Sequence, residues 1–458
     1  MPALAALVYK AYHEIETNFD ISLLPQTDEK QELSEEGLVR GIGRWDLVAV
    51  AINGIIGAGI FGLPSQTFAL IGSYSLIAFL ACAIVLVLII LCFAEVGSRF
   101  KDTGGPYLYA RAAFGSLIGF EVGWLIWLVR ITAFAANCNL LVGYLGFFYP
   151  ASSNRWPRAL IIIVTVMALT LVNLIGVRRA AMTSNLFTIG KLVPLLLFVG
   201  LGLFFIHPAN YSFAARPELG AFSQSVLLLV YAFSGFEMAA IPAGEVRDPQ
   251  RNLPMAIITA IAVVAVVYIL IQIVCVGTLP ELATSLRPLA DSATRFMGTA
   301  GGAVISAGAI ISITGNLNVV LLAGSRMPFA MAERNELPAF FSRTHSRFHT
   351  PHVAILVTAA IVLAVTLSGT FIYALTISTL TRLASYAVTC AALPLLRRRK
   401  DIPAATFKVP GGGLVSVLVL VLAAWLLYHS TVREARHAII AAAAGLVIYF
   451  AYRAARKR

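Results

Sequence analysis

The chain alternates between long apolar runs and short polar segments. An apolar run of about 20 residues with few charges has the length that an α-helix needs to cross a bilayer. Twelve such runs predict twelve transmembrane helices in an all-α membrane protein, with only Ser368 and Gly369 dividing the ninth run from the tenth. The runs cover residues 46–71, 74–97, 117–149, 157–176, 184–206, 221–244, 254–279, 300–324, 352–368, 370–396, 412–430 and 436–452.

The first run contains a segment that a transmembrane helix would ordinarily exclude: GIIGAGIFGLP, from Gly54 to Pro64. Glycine lowers helix propensity, and proline removes an amide donor. Because an unpaired backbone group in hydrocarbon costs several kcal/mol, a break here must face protein, water or a ligand. The segment is therefore a candidate binding site. Close helix packing at small residues is the alternative.

A second interruption lies in the sixth run: YAFSGFEMAAIPAGE, from Tyr231 to Glu245. Two broken helices in corresponding positions of two halves indicate a transporter built from inverted repeats, here with five helices in each half. The ends of half-helices offer free amide donors, which suit a carboxylate, and free carbonyls, which suit an ammonium group. A zwitterionic α-amino acid would use both at once, so we expect such a substrate between the breaks.

Composition excludes a water-soluble domain. Hydrophobic residues make up 59% of the 458 residues and charged residues 12%, with a mean hydropathy of +0.85. A soluble protein of this size needs a far more polar surface. Residues 1–44 are mostly polar and lack the order of a cleavable signal, so we expect a cytoplasmic arm. Its acidic cluster, from Asp28 to Glu36, is expected to be a solvated tail.

The net charge of +12 acts as an orientation signal. With twelve spans both termini lie on one side of the membrane, and most of the 34 Lys and Arg residues fall on that side. The positive-inside rule then predicts cytoplasmic termini in a multi-pass plasma-membrane protein. The charge needs no nucleic-acid partner to explain it.

The sequence gives no support to cofactor, metal or enzyme chemistry. The five cysteines all lie in apolar runs without paired spacing, which favours small buried side chains. No His/Cys/Asp/Glu cluster has metal-ligand spacing. Gly57, Gly59 and Gly62 match G-x-G-x-x-G, but uninterrupted apolar sequence stands where a dinucleotide site needs an acidic residue. We therefore predict no cofactor, no metal and no catalytic cluster.

Charged residues near the ends of runs are candidates for coupling and gating. Lys191 lies roughly 10 Å into the fifth run at the usual helical rise. A desolvated lysine changes its protonation state readily, which makes Lys191 a candidate for proton coupling; the alternative is a side chain that reaches the membrane interface. Glu95 with Lys101, and Glu245 with Arg247, are expected to form ion pairs at an inner gate or in loops.

Three further charges lie near the centres of their runs: Glu237, Arg130 and Arg382. Buried alone, Glu237 would be neutral part of the time, which suits a carrier cycle and makes it a candidate for coupling or gating; the alternative is a static hydrogen-bonded acid that fixes the broken helix. Arginine keeps its proton, so each arginine needs a partner, and Glu237 is the nearest anion in depth for one of them. An ion pair is the favoured interpretation. The alternative is that one arginine attracts an acidic substrate side chain.

Four motifs resemble those of amino acid permeases of the amino acid-polyamine-organocation (APC) superfamily, particularly proton-coupled bacterial members. They are GIIGAGIFGLP in the first run, AEVGSRFKDTGGPYLYARAAFG after the second, FSGFE with GEVRDPQRNLP in and after the sixth, and AGSRMPFAMAERNELP after the eighth. The resemblance covers most of the chain. It implies a five-plus-five inverted-repeat (LeuT-like) core over residues 45–400, with two additional helices and a basic cytoplasmic C-terminus over 401–458.

The resemblance also implies roles for residues in the two breaks. Amides around Gly57 would bind the substrate carboxylate, and carbonyls in both breaks would bind its ammonium group. Phe233 and Phe236 would line or gate the side-chain pocket unless they belong to the packed core. Lys191 matches the position at which a lysine replaces a bound cation in proton-coupled members. The substrate-binding positions implied are Ile55, Gly57, Ala58, Gly59, Tyr231, Phe233, Ser234, Gly235 and Phe236.

The predicted activity is secondary active transport by alternating access. The first and sixth helices would bind the amino acid and rock against a scaffold of the third, fourth, eighth and ninth helices. Proton-coupled uptake of a neutral L-amino acid is the favoured function. The alternatives are amino acid exchange, transport of charged amino acids or amines, and a nutrient receptor that does not transport. The expected partners are the amino acid, protons and membrane lipid.

Overall fold

The protein is all-helical throughout the part of the chain that the structure describes. A computed structural model describes residues 40–57, 59–146, 148–175, 177–214, 216–285, 287–368, 371–428 and 432–456. The acidic cluster from Asp28 to Glu36 lies outside these residues, as does Ala58. The α-helices are α1 (Arg44–Ile55), α2 (Gly59–Ile71), α3 (Ser75–Gly97), α4 (Pro106–Phe114), α5 (Ser116–Leu145), α6 (Arg155–Ile175), α7 (Val177–Gly202), α8 (Leu219–Phe233), α9 (Pro249–Thr278), α10 (Pro288–Glu333), α11 (His352–Leu367), α12 (Phe371–Arg398), α13 (Gly412–Tyr428) and α14 (Val432–Arg456).

Much of this helical bundle has the length and composition of membrane-crossing helices. Within the described residues, six helical stretches are long and apolar enough to cross one. They are Gly59–Gly97, Ser116–Leu145, Arg155–Ile175, Leu219–Ala239, Pro249–Thr278 and Pro288–Glu333. Shorter apolar helices, among them α11 and α13, accompany them. The helices follow the predicted apolar runs, while the twelve-span count and the inverted repeat stay predictions.

Both predicted interruptions are present in the backbone. The first separates α1, which ends at Ile55, from α2, which begins at Gly59. The second begins after α8, where Ser234 is extended and Gly235 adopts a φ of 114°, a conformation that glycine tolerates best. Two short 3₁₀ turns follow it, Phe236–Ala239 and Ala243–Glu245, in place of an α-helical second half.

The two interruptions touch each other directly. A Cβ atom placed on Gly235 would overlap the carbonyl oxygen of Gly54, and one placed on Gly54 would lie 2.5 Å from the carbonyl oxygen of Gly235. Neither position therefore has room for a side chain. Glycine at both positions permits the two broken helices to cross in contact.

A short β-bridge ties the start of α1 to the end of the second interruption. The Ile42 amide donates to the Glu245 carbonyl at 3.0 Å, and the Arg247 amide donates to the Ile42 carbonyl at 2.9 Å. Ile42 is fully buried in this contact. Residues 42–43 thus belong to the folded core, although they fall within the predicted N-terminal arm.

Three helices differ from the predicted runs in ways that affect the site. Helix α7 begins at Val177, ahead of the predicted residue 184, because its polar first turns interrupt the apolar pattern but not the helix. Lys191 therefore lies about 21 Å along the helix, deeper than expected.

Helix α10 extends well beyond the predicted run and bends at Gly298, where φ is 68°. The short helix α4 follows two positive-φ glycines, and the Gly104 amide donates to the Ile241 carbonyl at 2.8 Å.

We predict that Gly235→Ala lowers the melting temperature of the detergent-purified protein substantially. The new methyl group would overlap the Gly54 carbonyl, and alanine would be strained at this φ, together a loss of about 2 kcal/mol or more. Gly200→Ala on α7 is the matched control, because no atom lies within 4 Å of the place that its methyl group would occupy. Equal melting temperatures for the two variants would contradict the close crossing of the two breaks.

Candidate functional site

A small polar cavity lies where the two interruptions meet. Its free volume is about 20 Å³, which accommodates roughly one water molecule. A ligand larger than water therefore fits only after neighbouring side chains or helices move apart. The cavity is lined by Gly54, Ile55, Gly57, Gly59, Ala133, Asn137, Tyr231, Ala232, Ser234, Met238, Asn316, Val320 and Arg382.

Most of the predicted substrate-binding residues lie at this cavity. Ile55, Gly57, Gly59, Tyr231 and Ser234 line it. Gly235 is not a lining residue, but it shapes the cavity through its contact with Gly54.

Phe233 and Phe236 do not line this cavity. Phe233 is fully buried and packs edge-on against Phe79 and Tyr268. Phe236 is also fully buried, and its ring lies against Phe93 and Tyr386. Both rings are thus part of the packed core around the second interruption, which is the alternative that the sequence left open.

Side chains from other helices donate hydrogen bonds to the carbonyl groups at the end of α1. The Asn316 amide nitrogen donates to the carbonyls of Asn53 and Gly54 at 2.8 and 2.9 Å. The Ile55 carbonyl accepts the Gly57 amide at 2.8 Å and the Tyr268 hydroxyl at 3.3 Å. The Gly57 amide, expected to be free for a carboxylate, is therefore engaged within its own turn in this conformation.

Lys191 donates a hydrogen bond to the first backbone carbonyl beyond α1. Its Nζ atom donates to the Ile56 carbonyl at 2.6 Å and lies 3.4 Å from the Asn53 carbonyl. The residue is fully buried, so its side chain points into the bundle and not toward the membrane interface. Nζ lies at the carbonyl end of α1, where the helix dipole favours a cation. The Ser312 hydroxyl shares the Ile56 carbonyl at 3.3 Å.

An asparagine pair connects the first interruption to α5 and α10. Asn137 on α5 donates its side-chain amide to Asn316 Oδ1 on α10 at 2.6 Å, and both side chains line the cavity. Sequence reasoning missed these residues, as it missed Ser312 and Tyr268. The signal that could have found them was an uncharged polar residue within an otherwise apolar run.

Arg382 on α12 reaches the second interruption. Its Nη1 atom donates to the Ser234 hydroxyl, which in turn donates to the Tyr231 carbonyl at 2.7 Å. Its guanidinium carbon lies 5.5 Å from the centre of the Tyr231 ring, a cation–π arrangement. Arg382 thus lines the cavity and also lies 3.9 Å from Glu237, so both interpretations from the sequence, an ion pair and an acidic substrate, stay open.

Glu237 is the hub of a buried network beside the cavity. Its Oε1 atom accepts Arg130 Nη2 and lies 3.9 Å from Arg382 Nη1. Its Oε2 atom accepts the Tyr386 hydroxyl at 2.7 Å and the Gly235 amide at 2.9 Å. The carboxylate therefore holds α5, α12 and the second interruption together. Within the described residues, two arginines share this one carboxylate.

The two other predicted ion pairs form with different partners. Glu95 accepts two hydrogen bonds from Arg397, at 2.7 and 2.6 Å, and lies 3.7 Å from Arg99. Lys101, the expected partner, is in an exposed segment beyond the end of α3.

Glu245 pairs with Arg326 on α10, at 2.5 and 2.9 Å, and not with Arg247. Both members of this pair are buried. The expected partner was wrong in both cases, because each buried carboxylate forms its shortest ion pair with an arginine from a packed neighbouring helix.

We predict that Glu237→Gln destabilises the protein more than Arg130→Gln does. The first change leaves Arg130 buried without its carboxylate and costs about 3–5 kcal/mol, whereas after the second change Glu237 still has Arg382 at 3.9 Å. The melting temperature in detergent is the measurement. Tyr386→Phe is the control for a single lost hydrogen bond, worth about 1 kcal/mol. Equal losses for Glu237→Gln and Arg130→Gln would refute the prediction.

Comparison with known proteins agrees with this geometry. The family model for amino acid permeases matches residues 42–451. The chain is 28% identical to a methylthioribose transporter of Bacillus subtilis over 438 residues, 91% of this chain and 94% of the relative. It is 29% identical to the serine/threonine exchanger SteT over 440 residues, covering 91% and 97%. It is 26% identical to the branched-chain amino acid permease BcaP over 443 residues, covering 91% and 94%; both are from the same bacterium.

The predicted resemblance is thereby confirmed, and these relatives are all named for transport. The match extends from the β-bridge ahead of α1 to the last helix, so it includes both interruptions and the side chains that satisfy them. The chain belongs to the amino acid permease family of membrane transporters.

Proposed function

We propose that this amino acid transporter works by proton-coupled alternating access, with the substrate held between the two helix interruptions. The supporting observation is the cavity at the two breaks, which small residues and polar side chains from both interruptions and from α5, α10 and α12 line together. The α-amino and carboxylate groups of the substrate would replace the internal hydrogen bonds there. Binding and transport of the substrate would need no covalent chemistry.

The small size of the cavity supports the proposal of alternating access. Room for roughly one water molecule is far less than an amino acid needs, so the substrate would bind in a more open state. Two contacts would keep the cavity closed from one side: the buried Glu245–Arg326 pair and the bridge between Ile42 and Val246. We assign this side to the cytoplasm because the basic loops lie there. Opening it would separate α1 and the second interruption from α10.

Lys191 would couple this movement to a proton. Its ammonium group is a donor to the Ile56 carbonyl, at the point where α1 is interrupted. A neutral lysine amine keeps donors but loses the charge that favours the carbonyl end of a helix. Gain and loss of the proton would therefore change the stability of the closed first interruption. Uptake with protons and amino acid exchange would both use this site.

For the substrate side chain, we propose a neutral group. Ala133, Val320 and Met238 supply the apolar part of the lining. An acidic amino acid is the second candidate, because the Arg382 guanidinium lines the cavity and would attract an acidic side chain.

We expect Lys191→Met to abolish the response to a proton gradient. In proteoliposomes, wild-type protein should accumulate labelled amino acid faster under an inward proton gradient, whereas the variant should show only gradient-independent exchange. Lys101→Met, in an exposed loop, is the matched control and should behave as wild type. Full gradient-driven uptake by Lys191→Met would exclude the coupling role. Binding without any flux in the wild type would exclude transport itself.

We further expect neutral amino acids, and not glutamate, to compete with labelled substrate. Arg382→Gln leaves the Arg130–Glu237 pair in place, so it isolates the effect of the cavity-lining charge. Under the neutral proposal the variant keeps the order of competitors. The neutral proposal is wrong, and the acidic one is correct, if two results are found. Glutamate would be the best competitor in the wild type, and its apparent affinity would fall at least tenfold in Arg382→Gln.

A further inference from the structure

A second cavity, separate from the site between the breaks, lies at the ends of α3 and α12. Its volume is about 790 Å³, within the range of roughly 300–1,000 Å³ that is usual for small-molecule clefts. It is lined by Glu95, Arg99, Arg397, Arg399, Lys400, Ile402, Ala404, Ala405, Lys408, Val409 and Pro410. Five of these side chains are basic and one is acidic.

The charges of this basic cavity do not cancel. Glu95 is already engaged by two hydrogen bonds from Arg397 and one from the Val409 amide at 2.7 Å. Arg399 is paired with Asp401, two positions further along the chain, at 2.5 Å. Five basic side chains against these two carboxylates leave a net charge of +3 at the cavity. Such a surplus in one concave site attracts an anion.

Lys400 and Lys408 carry the uncommitted part of this charge. Both are exposed, and within the described part of the chain neither ammonium group forms a hydrogen bond or an ion pair. A pair of such lysines on a cavity wall is suited to a phosphate group, which accepts several charge-assisted hydrogen bonds.

The cavity is preformed, because the segment over it is fastened to the helix ends. Arg99 Nη1 donates to the Pro403 carbonyl at 3.2 Å, and Arg397 Nη2 donates to the Val409 carbonyl at 2.8 Å. The Phe407 amide donates to the Ser98 hydroxyl at 3.3 Å. A ligand would therefore not have to order this segment on binding, which lowers the cost of association.

The depth of the cavity points to a lipid as the source of the anion. Its lining residues lie within a few positions of the end of α3 at Gly97, the end of α12 at Arg398 and the start of α13 at Gly412. The ends of apolar helices lie at the level of the lipid headgroups. Exposed apolar side chains begin within about one turn on both flanking helices: Leu395 is 39% exposed and Leu414 is 76% exposed. A basic cavity beside such surfaces matches an anionic headgroup attached to acyl chains.

We propose that this basic cavity binds the headgroup of an anionic phospholipid, with Lys400 and Lys408 as its principal phosphate contacts. The site does not depend on the transport mechanism and is independent of the cavity between the breaks. It requires only that α3, α12 and α13 end at the membrane surface.

The test is a titration of the full-length protein, purified in neutral detergent, with dioctanoyl phosphatidylglycerol. We expect saturable binding by the wild type and none of comparable affinity for dioctanoyl phosphatidylcholine. Each lysine near an anionic surface contributes about a fivefold change in affinity, so Lys400→Gln with Lys408→Gln should weaken binding about 25-fold. Inorganic phosphate and glycerol 3-phosphate, tested as competitors, should displace the lipid only at much higher concentration.

The matched control is Arg343→Gln with Arg347→Gln. It removes the same charge from an exposed loop between α10 and α11, which does not line the cavity. The control should bind the lipid as wild type does. The proposal is overturned if no saturable binding occurs, or if both double variants weaken binding equally. Competition by inorganic phosphate at the concentration of the lipid would overturn the lipid assignment in favour of a soluble anion.

Discussion

Backbone groups inside a membrane must find hydrogen-bond partners within the protein, and the rest of this structure follows from that constraint. Interrupting α1 after Ile55 leaves its last carbonyls without helical partners. Lys191, Asn316 and Tyr268, from three other helices, donate to them. The first break therefore fixes the positions of α7, α9 and α10 around it. In the proposed mechanism, a substrate ammonium group would compete with these side chains for the same oxygens, so the closed structure and the proposed binding site would use the same backbone groups.

The second interruption is stabilised by charge as well as by hydrogen bonds. Glu237 accepts the Gly235 amide and also holds Arg130 and Tyr386, so one carboxylate joins the broken segment to α5 and α12. Ion pairs buried in this way gain little net stability, but removing one member is costly because the other is left uncompensated. The network thus acts as a rigid connection between the second break and its scaffold. Arg382, at its edge, extends it to the wall of the central cavity.

Ion pairs and a backbone bridge tie the bundle together at one end. Glu245 and Arg326 are buried there, and Ile42 adds a two-sided backbone bridge to the same segment. Arg397 and Glu95 form a corresponding link between α12 and α3 beside the basic cavity. Because α12 also carries Arg382 and Tyr386, the same helix connects this end of the bundle to the second interruption.

Local sequence was sufficient to establish the class of protein, the family and the places where two helices break. The length of an apolar run indicates a helix that crosses the membrane, and glycine and proline indicate backbone that cannot continue as a helix. Both signals depend only on local composition. Gly57 and Ser234 lie in these two breaks, and Lys191 and Glu237 stand out as charged residues within apolar runs, so the sequence singled out all four as candidates. Which groups meet was settled by the three-dimensional packing alone. The pairing of Glu95 with Arg397, the Asn137–Asn316 contact and the burial of Phe233 depend on how helices rotate and pack against one another. That arrangement is set by contacts between residues far apart in the chain, which a pattern along one run does not contain.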